Sequence, residues 1–332
     1  MRPTKRALAT AWLLACAAAW AQPVAPYVTP DTPQGSGRYP AIMEVDAGLP
    51  THTVYRPQKL AALGAEKLPI VAFGNGACIN VGNRFRPFLS EIASHGFLAI
   101  AIGPIGPKEA ELLASGSAAR GAPAPGSPTA LLAAAGKLPT TTTGPTSADT
   151  MAAQLIDAIN WAIAENSRVG SPYLGRIDTA QVAVMGQSCG GLQALDAAHD
   201  PRVKTLGVWN SGTFTNDDRA WEIAAARATK ARLKALHAPT IYITGDPSDV
   251  AFNNTEDDFE RIDSVPVFRA WREKTGHSGT YREPGGGAFA PVGVAWLSWQ
   301  LKGDKTAARM FTGADCGLCT HPEWHVKKKR ID

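Results

Sequence analysis

The sequence lacks a hydrophobic run long enough to span a bilayer. Its N-terminal apolar stretch, residues 7–19, falls short of the roughly 20 residues that a transmembrane helix needs. It also lacks a strong charge of either sign. The formal net charge is +4, and three of the cations, Arg2, Lys5 and Arg6, stand in residues 1–21, which hold no acid; without them the balance is +1. A chain so nearly neutral has no long-range field to draw in nucleic acid or an anionic membrane. The basic end, Lys327 to Arg330, reads as a solvated tail. No second apolar core announces itself in 332 residues, so one large domain is expected.

What stands at the N-terminus reads as an export signal over residues 1–21. Arg2, Lys5 and Arg6 supply the positive region, residues 7–19 the apolar one, and Ala19-Trp20-Ala21 the small-x-small cleavage pattern before Gln22. Leu13-Leu14-Ala15-Cys16 offers a lipoprotein box as the second reading. The expected location is periplasmic or secreted. Export places the other four cysteines, Cys78, Cys189, Cys316 and Cys319, in an oxidising compartment, where three pairings are open.

Residues 22–38, rich in Pro, Thr and Gly, read as an extended arm. A domain is expected over residues 39–304. It opens with two strand-like runs, 41–45 and 51–55, as a hairpin at the first edge of a sheet. Buried strands follow at 68–73, 97–102, 182–185, 203–209, 239–244 and from Val265, each almost wholly apolar, as parallel strands covered on both faces are. Helices are expected from Phe85 to Ile92, from Ser147 to Ser167 with Ser147 as its cap, from Asp217 to His237, and around Phe289, Val292, Trp296 and Trp299, closed by Gly303. Strands alternating with helices specify an α/β fold with a mostly parallel sheet and helices on both faces. Residues 103–146 are dominated by Ala, Gly, Pro, Ser and Thr. They leave a strand at the edge where α/β sheets bind ligands, so they form either a rim over the site, with Leu131 and Leu132 facing it, or a surface insertion.

The chemistry is concentrated at Gly186-Gln187-Ser188-Cys189-Gly190, between a strand and a helix. This is the G-x-S-x-G turn in the context that gives it meaning: the glycines allow a strained turn that lifts the Ser188 hydroxyl above the sheet edge. The N–H of Cys189, at the start of the helix, then faces a developing oxyanion. Gly74-Asn75-Gly76-Ala77-Cys78 follows the strand at 68–73 and supplies a second donor, the N–H of Ala77, or else that of Gly76. Gly245-Asp246-Pro247-Ser248-Asp249 carries two acids just beyond a strand; Asp249 is chosen as the orienting carboxylate and Asp246 as a turn residue, with the alternative open. Gly276-His277-Ser278-Gly279 carries the histidine. A hydroxyl is a weak nucleophile at neutral pH, so His277 must take its proton and Asp249 must fix the imidazole tautomer. Trp209, at the end of its strand, is assigned to the wall of the substrate pocket together with Gly76, with a core role as the alternative. His52, His199 and His237 are placed away from that edge, and His95 at a helix end as a structural group.

If the two loops build one oxyanion hole, Cys78 and Cys189 must be close, so a disulfide is expected there. The second, Cys316–Cys319, makes a clasp in a C-terminal tail at residues 305–332. With His321 and His325 it looks superficially like a zinc site, a reading set aside for the disulfide in an exported chain; no metal is expected.

These stretches resemble the α/β-hydrolase superfamily of serine esterases over most of residues 39–304. Ala93-Ser94-His95-Gly96-Phe97 looks like the dienelactone-hydrolase, cutinase and polyester-hydrolase branch, and the Gly186–Gly191 and Gly74–Cys78 stretches look closer to a group of secreted fungal and bacterial hydrolases. The chain departs from the branch in having Ala77 where cutinase-like enzymes carry an aromatic residue, and Gln187 and Cys189 where many lipases have His and Met. The resemblance implies cleavage of carboxylic esters, small or polymeric, without a cofactor, through an acyl-Ser188 intermediate. An amidase or peptidase with the same three residues, or a hydrolase-fold binding protein without turnover, are the alternatives.

Overall fold

The apolar runs that punctuate the sequence become the strands of one sheet. A computed structural model of the chain describes residues 27–28, 32, 34–106, 150–214 and 227–332. The expected export segment, most of the insertion at residues 103–146 with Leu131 and Leu132, the expected cap Ser147 and residues 217–226 of the expected helix lie outside the described residues.

The strands are β1 Tyr27–Val28, β2 Ala41–Val45, β3 His52–Pro57, β4 Leu68–Gly74, β5 Leu98–Ile102, β6 Ile177–Gln187, β7 Val203–Trp209, β8 Thr240–Thr244, β9 Val267–Arg272 and β10 Trp324–Lys329. They form one ten-stranded sheet in the order β1-β2-β3-β5-β4-β6-β7-β8-β9-β10. The six strands from β5 to β9 in that order are parallel; β1, β2 and β3 on one side and β10 on the other are antiparallel. This is the mixed α/β architecture expected.

Alternation along the strands sorts the core into two layers. Ile70, Ala72, Val182 and Val184 face one side, where α2 (Ala153–Ser167) and α3 (Cys189–Ala197) bury Leu155, Ile159, Leu192 and Leu195. Val71, Phe73, Ala183 and Met185 face the other, against α1 (Arg86–Ser94) and α5 (Phe289–Lys302), which bury Phe88, Ile92, Trp296 and Leu297. Two-residue periodicity with apolar residues at both phases is what a strand covered on both faces requires. Gly303, at φ 69°, closes α5 in the left-handed conformation, as its position predicts. Two short helical elements complete the order, α4 (Phe252–Arg261) after β8 and α6 (Lys305–Ala308) after α5.

Four expectations are corrected. The residues after Trp324 are not a solvated tail: Trp324–Lys329 pairs with β9 along its length, so Val267–Arg272 is not the last strand. The lysines are accommodated because α4 and the turn after it present acids to them: Lys327 bonds Glu256 and Lys329 lies 3.3 Å from Asp263. On the opposite margin Tyr27–Val28 of the presumed arm pairs with β2, so the hairpin is not the outermost element. Within the expected helix from Asp217 to His237, residues Lys230–Ala235 form a 3-10 helix. The first residue of that turn is a buried charge. Lys230, 5% exposed, lies 2.7 Å from both Asp257 and Asp258, and Asp258 also accepts from Thr213 and Tyr242. Finally, His52 is not remote from the carboxyl edge of the parallel strands: it pairs with Ile102 at the end of β5, but it is fully buried and tied to the carbonyl of Gln154. Among the described residues no helix is long and apolar enough to cross a membrane.

Removing one member of a buried ion pair strands the other. Lys230→Met is therefore expected to lower the unfolding free energy by about 3–5 kcal/mol, read by urea denaturation; a loss below about 1 kcal/mol would mean that the Asp258 carboxylate is adequately held by Thr213 and Tyr242 alone.

Candidate active site

The carboxyl edge of the parallel strands gathers the loops that the sequence marked. β6 runs into Ser188, whose φ of 55° and ψ of −121° lie outside the conformations of ordinary residues. The turn works only because Gly186, Gly190 and Gly191 have no side chains. A Cβ on Gly186 would come within 2.1 Å of the Gly190 carbonyl oxygen, and one on Gly190 within 2.0 Å of the Gly74 carbonyl oxygen. One on Gly191 would meet Ser211 at 2.4 Å. The Ser188 N–H donates to the carbonyl of Trp209 at 2.9 Å, and the Ser211 hydroxyl donates to the Ser188 carbonyl at 2.6 Å. Strand β7 therefore holds the turn from the side.

Ser188, His277 and Asp249 are brought together. Ser188 Oγ lies 2.9 Å from His277 Nε2, and His277 Nδ1 lies 2.7 Å from Asp249 Oδ1. The Asp249 side chain is fully buried and that of His277 is 27% exposed, so the charge is at the back and the proton-carrying ring reaches solvent. Of the two candidate acids, Asp249 is the one that meets the histidine. Asp246 accepts from the N–H and hydroxyl of Ser248 in an exposed turn. Asp249 also accepts from the N–H of Ala251 at 2.9 Å and of Gly245 at 3.1 Å, and from the Asn210 amide at 2.7 Å. Burial pushes its carboxyl upward, but the hydrogen bond and charge of His277, the Ala251 N–H and the Asn210 amide outweigh this and hold it below the usual carboxylate range.

The loop after β4 lies against the Ser188 turn. Cys78 and Cys189 are joined by a disulfide with their Cα atoms 5.3 Å apart. Ala77 and Cys78 both have positive φ, 58° and 48°, an arrangement that costs non-glycine residues energy and persists only where the surroundings impose it. Thr150 contributes to that restraint by donating to the Cys78 carbonyl at 2.9 Å, and Gln193 of α3 donates to Thr150 in turn. The Cys189 N–H is the first of α3 and so has no partner within the helix. Gly76, Ala77, Gln187, Ser188 and His277 line a cleft of about 160 Å³, flanked by Arg84 and Arg282.

Trp209 is corrected. It is fully buried among Phe88, Tyr281 and Phe289, and the cleft does not reach it. As a residue of β7 its ring points into the layer beneath the edge, and its contribution is to the core. Gly76 does face the cleft, and a Cβ there would come within 2.0 Å of Gln187 Oε1. His95 pairs with Glu91 at 3.1 Å at the end of α1, as a structural group. Cys316 and Cys319 form the second disulfide, which occupies the sulfurs a metal would need. Among the described residues no group of three or more His, Cys, Asp or Glu is arranged to hold a metal ion.

Sequence reasoning missed three polar residues here. Gln187 donates to the carbonyl of His277 at 3.0 Å, tying the His277 loop to the end of β6. Asn210 and Tyr281 lie behind Asp249. The available signals were weak: Gln187 sits inside the glycine turn, Asn210 directly follows β7 at the carboxyl edge, and Tyr281 follows His277 by four residues. The chain matches no family model, and no curated protein matches it.

A carboxyl held lower in the folded than in the unfolded chain stabilises the fold above its unfolded value of about 3.9, and that stability is lost as pH falls through the folded value. The midpoint of urea unfolding should therefore fall as pH drops below about 4, and fall less steeply in Asp249→Asn. Parallel curves for the two proteins would remove Asp249 from the acid response.

Proposed function

We propose that this protein is an exported serine hydrolase of the α/β-hydrolase fold that cleaves carboxylic esters. The observation that carries the proposal is the unbroken hydrogen-bonded chain Ser188 Oγ–His277 Nε2, His277 Nδ1–Asp249, with Ser188 lining a cleft. His277 takes the Ser188 proton as Oγ adds to the ester carbonyl carbon. Negative charge collects on the former carbonyl oxygen and is met by the N–H groups of Ala77 and Cys189, each worth on the order of 3 kcal/mol. The C–O bond then breaks, and His277 passes its proton to the departing alkoxide. Water, activated by the same imidazole, hydrolyses the acyl-Ser188 ester and returns the serine. Asp249 keeps its negative charge throughout and stabilises the imidazolium. Every proton is returned, so the cycle calls for no cofactor. Export is supported by the signal-like residues 1–21 and by two disulfides.

Ester rather than amide cleavage is tested by comparing p-nitrophenyl esters with the matching anilides. Esters are expected to be the faster substrates, and anilides turned over equally well would move the proposal to amide hydrolysis. A fluorophosphonate probe should label the folded protein once, at Ser188. Ser188→Ala should abolish the label and lower kcat by about 10⁶-fold. A folded, unlabelled wild-type protein would instead favour a binding protein.

The Cys78–Cys189 bridge closes a long loop, with a sequence separation of 111. In the chain-entropy account such a bridge contributes about 4–5 kcal/mol. Replacing both cysteines with Ala should lower Tm and, because Ala77 and residue 189 are then no longer clamped, lower kcat by about 100-fold. A variant that loses stability while its kcat is unchanged would separate the bridge from the donor geometry.

A further inference from the structure

Asp249 has two carboxylate oxygens, and His277 takes only one. Oδ1 accepts from His277 Nδ1 and from the Ala251 N–H. Oδ2 accepts from the Gly245 N–H and from Asn210 Nδ2. Asn210 is fully buried, and the other end of its amide, Oδ1, accepts the hydroxyl of Tyr281. Tyr281 is itself fully buried among Phe85, Phe88 and Phe289, with ring centroids 5.1–5.3 Å away. A polar chain therefore continues behind the catalytic carboxylate and ends in an aromatic cage.

Two features indicate that this chain is built for its polar contacts. Asn210 has φ 41°, a backbone state that glycine adopts at least cost; Asn is among the few other residues enriched there, and its side chain is fully used. Its backbone N–H is fixed to the Ile243 carbonyl at 2.7 Å, so the side chain has a set origin. The amide has two ends of nearly the same shape, and the wrong one would set an oxygen against the buried carboxylate. Burial, first, and the nearby Asp249 charge hold the Tyr281 phenol well above its usual value. The phenol is protonated and donates, so only Oδ1 fits against it. Asn210 Nδ2 also comes within 3.4 Å of the Gly276 carbonyl, just before His277, and Tyr281 belongs to the same loop, so acid and base are located by one network.

We propose that Asn210 and Tyr281 are positioning residues for the Ser188–His277–Asp249 site. The Asn210 amide locks the rotation of the Asp249 carboxylate, and the Tyr281 hydroxyl decides which end of that amide faces it. The proposal rests on the serine-hydrolase reading. A neutral amide suits this role because it anchors the carboxylate without cancelling the charge that must stabilise the imidazolium.

The test uses Asn210→Gly, which suits the left-handed backbone, and Tyr281→Phe, which keeps the ring and removes only the hydroxyl. With p-nitrophenyl butyrate, Asn210→Gly should lose about 10- to 100-fold in kcat with little change in KM. A carboxylate relieved of a donor attracts the imidazolium more strongly, so the acid limb of the kcat/KM profile should move to higher pH by about one unit. Tyr281→Phe should move it in the same direction by less. The proton on His277 Nδ1 gives a far-downfield NMR resonance that needs no turnover, and in both variants it should shift or broaden. An unmoved resonance and limb in folded Tyr281→Phe would overturn the positioning role, whatever the stability of Asn210→Gly. Failure of wild-type protein to react with fluorophosphonate would overturn the hydrolase reading instead, so the two failures are distinguishable.

Discussion

Two glycines that touch through their backbones set the geometry of this molecule. Gly190, in the first turn of α3, lies so close to Gly74 at the end of β4 that a methyl group at either position would collide with the other's main chain. This contact draws the helix onto the sheet directly beside the loop that follows β4. Ser188 is forced into its strained conformation at the edge, and Cys189 is brought to Cys78. The strain at Ser188, Ala77 and Cys78 is local. It is borne by a large two-layered core, which keeps these residues where an unconstrained loop would relax.

The other half of the site is organised around a buried charge. The Asp249 carboxylate has no contact with water, and four donors replace its hydration: two backbone amides, the Asn210 amide and the His277 ring. Those donors belong to the loops after β7, β8 and β9, so satisfying one carboxylate aligns three loops. The Gln187 side chain adds a cross-link from the end of β6 to the His277 loop. Away from the cleft, the Lys230–Asp258 pair acts in a comparable way, joining the segment before β8 to α4. In both places the unfavourable burial of a charge is offset by a full set of partners, and the location of chain segments follows from that set.

Much of this was legible along the chain. Parallel strands covered on both faces are continuous apolar runs, and six of the runs read from the sequence became parallel strands. The glycine-flanked serine, the Asp249 loop and the His277 loop each follow such a strand, and their order along the chain placed them at one edge. The cysteine pairing followed from the requirement that two donor loops meet. The misreadings have physical reasons. Trp324–Lys329 alternates only weakly and carries three lysines, so it reads as a tail until the acids of α4 are seen facing it. Trp209 ends its strand at the carboxyl edge, but whether its ring turns to the cleft or to the core depends on Phe88 and Phe289 beneath it.

What the sequence determined alone was the six buried strands, their parallel character and the three side-chain types that meet at the edge, because hydrophobic period and glycine placement are local properties. What only the tertiary structure decided was which acid serves the histidine, and which polar groups stand behind that acid. Asp246 and Asp249 lie three residues apart in one turn, and local chemistry hardly separates them. The choice was made by partners far away in the chain, Asn210, Tyr281 and His277, because a buried carboxylate is stable only where several distant donors converge.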